Sequence, residues 1–78
     1  MNELITNIDK LHTTELGVAR IKRNLYLDTN DVVAWCKKRI KDSNCSIVRE
    51  GKNWYATING SKITVNGSSY TIITAHKV

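Results

Sequence analysis

Histidine is the side chain whose charge ordinarily changes near neutral pH, and this chain of 78 residues has two. His12 lies in Leu11-His12-Thr13-Thr14-Glu15-Leu16-Gly17, and His76 in Thr74-Ala75-His76-Lys77. If the fold brought the two ends together, one cleft would hold a base and an acid. Cleavage of RNA through its own 2′-hydroxyl needs such a pair, with cations to stabilise the crowded phosphorane. His12 and His76 are therefore the acid–base candidates, with Arg20 to hold phosphate and Thr74 to orient it. Arg23, Arg49, Lys52 and Lys77 are the expected contacts to the nucleic-acid backbone. Against this stands a plainer role for each histidine, as a surface or capping residue.

The charge supports a polyanionic partner. Lys and Arg number 12 against 7 Asp and Glu, a net charge of +5, and the pI is about 9.5. Arg20, Lys22 and Arg23 form one group, and Lys37, Lys38, Arg39 and Lys41 another. Nucleic acid, with RNA favoured over DNA, or an acidic protein surface fits this excess. Cys36 and Cys45 lack metal-ligand spacing, and there is no glycine-rich phosphate loop or paired-carboxylate motif, so neither a metal nor a cofactor is expected. The N-terminus lacks a basic, apolar leader and no stretch has membrane-spanning length, so a reducing cytoplasm is the expected setting. A single domain this small gains from dimerisation, and a homodimer is an expectation on that ground.

The elements that must position these residues change character half-way along. Leu4, Ile5, Ile8 and Leu11 recur at helical spacing, predicting a first helix over residues 2–11. Thr13 or Thr14 caps a second, whose inward stripe is Leu16 or Val18, then Ile21 and Leu25. Gly17 is a weak helix former that permits close approach of another element. Asp28 or Thr29 caps a third helix, with Asp31 in its first turn, and Val32, Val33, Cys36 and Ile40 give it an apolar face as far as Lys41.

From Ser46 the pattern alternates with period two. Strands are expected at 46–50, 54–58, 62–65 and 70–75, with Asn59-Gly60 as a type I′ hairpin turn. In the last, Tyr70, Ile72, Thr74 and His76 share one face by simple alternation, and Thr71, Ile73 and Ala75 the other. The expected architecture is α+β: two to three N-terminal helices followed by a four-stranded antiparallel β-meander, helices on one face.

The strings Leu11-His12-Thr13-Thr14-Glu15-Leu16-Gly17, Arg20-Ile21 with Asn24-Leu25, Asp31-Val32-Val33 with Trp35-Cys36, Gly51-Lys52-Asn53-Trp54-Tyr55 and Tyr70-Thr71-Ile72-Ile73-Thr74-Ala75-His76-Lys77 resemble a small bacterial family of domains of unknown function. That resemblance spans nearly the whole chain and implies no activity. A more distant similarity is to the barnase–EndoU–colicin–RelE group of ribonucleases. It implies helices before a four-stranded sheet, with catalytic His, Arg, Thr or Ser on the helical segment and late strands.

Two other functions suit the same residues. Three helices followed by hairpins is also the order of a winged-helix DNA-binding protein, with Lys37, Lys38, Arg39 and Lys41 on phosphates. A non-catalytic, phage- or mobile-element-encoded inhibitor that binds a protein is the third reading.

Overall fold

The computed structural model describes residues 3–78. Helices α1 (Glu3–Thr6), α2 (Glu15–Leu25) and α3 (Val32–Ile40) precede strands β1 (Ser46–Glu50), β2 (Asn53–Ile58), β3 (Ser61–Asn66) and β4 (Ile72–Lys77). The strands form one antiparallel sheet in the order β1-β2-β3-β4. The fold is therefore α+β with a four-stranded meander.

The first helix is shorter than its apolar spacing predicts. It stops at Thr6, and a 3-10 turn follows over Ile8–Lys10. Both the main-chain N–H and the side-chain Nδ2 of Asn7 donate to the Glu3 carbonyl, at 3.0 and 2.9 Å. A side chain that competes for a helix carbonyl in this way favours a turn over another helical residue. Asn2, the expected start, lies outside the described residues.

Thr14 caps α2, its hydroxyl accepting from the Gly17 N–H at 3.0 Å. The buried stripe is Gly17, Ile21 and Leu25 with Val18 half-buried, while Leu16 is 76% exposed. A Cβ on residue 17 would strike the Thr13 hydroxyl, so glycine here admits the segment that precedes its own helix. The cap of α3 is Asp31 rather than Asp28 or Thr29. Its carboxylate accepts from the Ala34 N–H at 3.0 Å, and Thr29 Oγ1 accepts from the Asp31 N–H at 3.1 Å.

The core lies between the helices and one face of the sheet. Leu4, Leu11, Ile21, Leu25, Val32, Cys36 and Ile40 meet Trp54, Ala56, Ile63, Val65, Ile72 and Ala75. Asn59 and Gly60 both hold positive φ, at 50° and 76°, as a type I′ turn requires.

The fourth strand departs most from its expected form. Tyr70 is left-handed, with φ of 59°, so β4 starts at Ile72. Val65 pairs with Ile72 and Thr64 with Thr74, leaving Ile73 as an extra residue. This bulge breaks the alternation. Ile72 and Ala75 both face the core, while Thr74 and His76 face away, so Ile72 does not share a face with His76.

Candidate functional site

Among the described residues the sheet has helices on one face only, and the other face carries the polar half of each strand's alternation. Because cross-strand partners share a face, the pairing sets the outward side chains in rows. Ser46, Thr57, Lys62 and His76 make one row, and Val48, Tyr55, Thr64 and Thr74 the next. Tyr55 sits near the centre, half-buried, with Lys62 Nζ 4.9 Å from its ring centroid. Thr64 is 8% exposed, Val48 48%. Val48, Glu50, Tyr55, Thr57 and Lys62 line a shallow depression of about 160 Å³. An enclosed small-molecule pocket is usually larger, roughly 300–1,000 Å³, so this surface suits contact with a polymer better than capture of a metabolite.

His12 extends the same surface beyond β4. It forms a parallel bridge to Thr71. The His12 N–H donates to the Tyr70 carbonyl at 3.2 Å, and the Ile72 N–H to the His12 carbonyl at 2.7 Å. Its Nε2 lies 3.1 Å from Thr71 Oγ1. The two histidines are thus at opposite ends of β4. His12 sits beside residue 71 and His76 is five residues further on, about 16 Å of extended chain. The structure does not bring them to one phosphate.

The other expected site residues are dispersed. Thr74 lies on the open face between the histidines. Arg20 and Asn24, on α2, run along the edge of β4. Arg20 Nη1 is 3.5 Å from the Ile73 carbonyl, a long contact, and Asn24 Nδ2 donates to the Ala75 carbonyl at 3.2 Å. Thr13 Oγ1 donates to the Ile72 carbonyl at 2.8 Å. These side chains serve a strand edge that has no neighbouring strand. Arg23 is exposed on α2, and Lys77 stacks over Tyr26, 4.7 Å from the ring centroid.

Arg49 is engaged in packing. It pairs with Trp54 on the helix side of the sheet, lies 5.3 Å from that ring's centroid and donates from Nε to the Gly51 carbonyl at 3.1 Å. Lys52 is exposed in the β1–β2 turn, where its carbonyl accepts from the Gly67 N–H at 2.7 Å.

Sequence reasoning missed Lys62 and Thr57 as site residues, and it took Tyr55 for a core or sheet residue rather than a stacking one unless it stood on an exposed face. Their alternation was legible, but not which face the helices would cover. It also missed Thr71 and Ser69, whose link to His12 is a tertiary contact.

A second basic surface lies on α3. Ala34, Lys37, Lys38, Lys41 and Asp42 surround an open depression of about 380 Å³. It has no aromatic side chain in its lining. Burial pushes the Cys36 thiol up to about 12, and both cysteines are free, so Cys36 is a core residue and not a nucleophile. Among the described residues no group of three or more His, Cys, Asp or Glu is placed to hold a metal. No helix of the described residues is long and apolar enough to cross a membrane.

Comparison with known families adds one finding. Residues 5–76 match the family DUF3781, described as a protein of unknown function. The chain belongs to that family. The match covers α2, α3 and the sheet to His76, so the open face and the His12 bridge both fall within the DUF3781 domain. No curated protein and no solved structure matches, ribonucleases included.

Proposed function

We propose that the open face of the sheet binds single-stranded RNA. The observation that carries this reading is Tyr55, placed in the middle of an uncovered four-stranded sheet with a lysine against its ring. An aromatic on a sheet surface offers a stacking plane that any unpaired base can use. Lys62 and His76 stand directly opposite each other across β3 and β4. A phosphate placed between them can accept hydrogen bonds from both side chains. The hydroxyls of Ser46, Thr57 and Thr74 add donors and acceptors suited to a ribose 2′-hydroxyl. Glu50 is the acidic member of this face, at its far end. The net charge of +5 adds an attraction without sequence preference.

This reading keeps RNA as the partner and leaves cleavage out. Histidines about 16 Å apart along the strand cannot act as base and acid on one phosphodiester.

Fluorescence anisotropy with a labelled single-stranded oligoribonucleotide tests the proposal. Tyr55→Ala is expected to weaken binding by the worth of one stacked base, about 1–3 kcal/mol. Lys62→Ser is expected to flatten the dependence of affinity on salt by about one phosphate contact. Wild-type binding in both variants would move the interface elsewhere, with the α3 depression next in line and Lys38→Glu as its probe.

A further inference from the structure

We propose that Thr71 is a nucleophilic hydroxyl activated by His12, and that this corner of the sheet accepts an acyl group from a carboxylic ester. The inference is independent of RNA binding.

Three hydrogen bonds in series carry it. His12 Nδ1 lies 2.8 Å from the Lys10 carbonyl. A carbonyl only accepts, so Nδ1 carries the proton, and in the neutral ring the lone pair on Nε2 faces outward. Thr71 Oγ1 sits 3.1 Å from that lone pair and donates to it. Ser69 Oγ lies 2.8 Å from Thr71 Oγ1 and 3.2 Å from the Asn66 Oδ1 acceptor, so its single proton is shared between the two. The order is Thr71 to His12 to the Lys10 carbonyl, with Ser69 bridging Thr71 and Asn66 Oδ1. A nucleophile touching its base, with the base oriented by a third group, is the arrangement that activates a hydroxyl.

The imidazole contact is not needed to hold the chain. The main chain of His12 is already tied to β4 by the bonds to Tyr70 and Ile72. Tyr70 adopts a left-handed φ of 59°, rare for a bulky residue, and this conformation separates the two hydroxyl-bearing residues that meet. His12 and Ser69 are exposed and Thr71 half-exposed, so an ester can reach the hydroxyl.

The step balances without a further reactant. Thr71 Oγ1 bonds to the ester carbonyl carbon while its proton passes to His12 Nε2. The Lys10 ammonium, 5.7 Å from the ring centroid of Tyr70, the neighbour of Thr71, is the cation on this corner that can swing to offset the negative charge that forms. The bond to the leaving oxygen then breaks, and His12 returns the proton to that oxygen. The products are an acyl-threonine and an alcohol. Ser69, held between Asn66 Oδ1 and the attacking oxygen, is a positioning residue.

4-Nitrophenyl acetate is the probe. Release of nitrophenolate is followed optically, and the acetyl group is located by peptide mass mapping. The expected result is an acetyl group on Thr71, formed about a hundredfold more slowly in His12→Gln. Thr71→Ser retains the reaction and Thr71→Val loses it, with circular dichroism confirming that each variant is folded. Acetyl groups on lysines alone, or acetylation of Thr71 at the wild-type rate in His12→Gln, overturns the proposal. The serine variant separates loss of the hydroxyl from loss of the fold.

Discussion

The two faces of the sheet use the same strands for opposite purposes. On the covered face, Trp54, Ala56, Ile63, Val65, Ile72 and Ala75 are buried against the helices. On the open face, Tyr55, Thr57, Lys62, Thr74 and His76 lie under no helix of the described residues, at the intervening registers. Apart from the bulge at Ile73, alternate residues are committed to stability, and those between are free to carry function. The edges of the sheet differ in the same way. That of β4 is served by His12, Thr13, Arg20 and Asn24, whereas β1 pairs only with β2.

The sharpest way to test that division is to remove volume from each face in turn. Ile63 is fully buried, and Ile63→Ala is expected to cost about 2–5 kcal/mol, from lost burial and the cavity left behind. Tyr55→Ala on the open face is expected to cost about 0.2–1 kcal/mol, the scale of a cross-strand pair. Urea denaturation of the two variants measures both. Equal losses would mean that the open face is part of the core, and the functional reading would lose its basis.

A smaller effect probes how closely α2 and its preceding segment are fitted together along the β4 edge. Gly17→Ala places a methyl group against the Thr13 hydroxyl. The expected destabilisation is about 1–3 kcal/mol, as for overpacking elsewhere, despite the better helix propensity of alanine. A more stable variant in thermal unfolding would show that Thr13 can give way freely.

The smallest effect is a pH dependence of the covered side. The Cys36 thiol is pushed from 9.0 up to about 12 by burial. A group that holds its proton more tightly when folded contributes fully below its unfolded value and progressively less above it. Stability is therefore expected to fall as pH rises from 9 toward 12, by about 1 kcal/mol for the first unit. Cys36→Ala removes this slope at the expense of a small cavity, and urea midpoints at pH 8 and 10 measure the difference. An unchanged slope in Cys36→Ala would assign the alkaline loss to another group.

Elements were legible where local chemistry decides them. The Asn59-Gly60 turn, the Thr14 cap and the apolar faces of α2 and α3 follow from backbone preferences and periodicity. The end of α1 was not, because the side chain of Asn7 competes for a carbonyl that the apolar pattern ignores. Nor was the start of α3, where the four adjacent polar residues Asp28, Thr29, Asn30 and Asp31 could each serve as cap and Asp31 does so.

The candidate site was legible in part. His12, Thr74 and His76 do lie on one surface, but their separation depends on where β4 starts and on the bulge at Ile73. Alternation cannot reveal an extra residue, since the bulge shows only in the pairing of β4 with β3. Arg49 reads as a free cation, and the fold shows that it is held by the Trp54 ring and the Gly51 carbonyl.

The sequence by itself determined the α+β class, the meander and its turns, because these rest on short-range backbone geometry and on the period of the apolar residues. Tertiary structure decided which face of the sheet stayed open, and hence that Tyr55 and Lys62 stand on it. It also decided that His12 meets Thr71, 59 residues away. Both depend on how the helices close over the strands, and no local pattern encodes a contact between segments that meet only when the core forms.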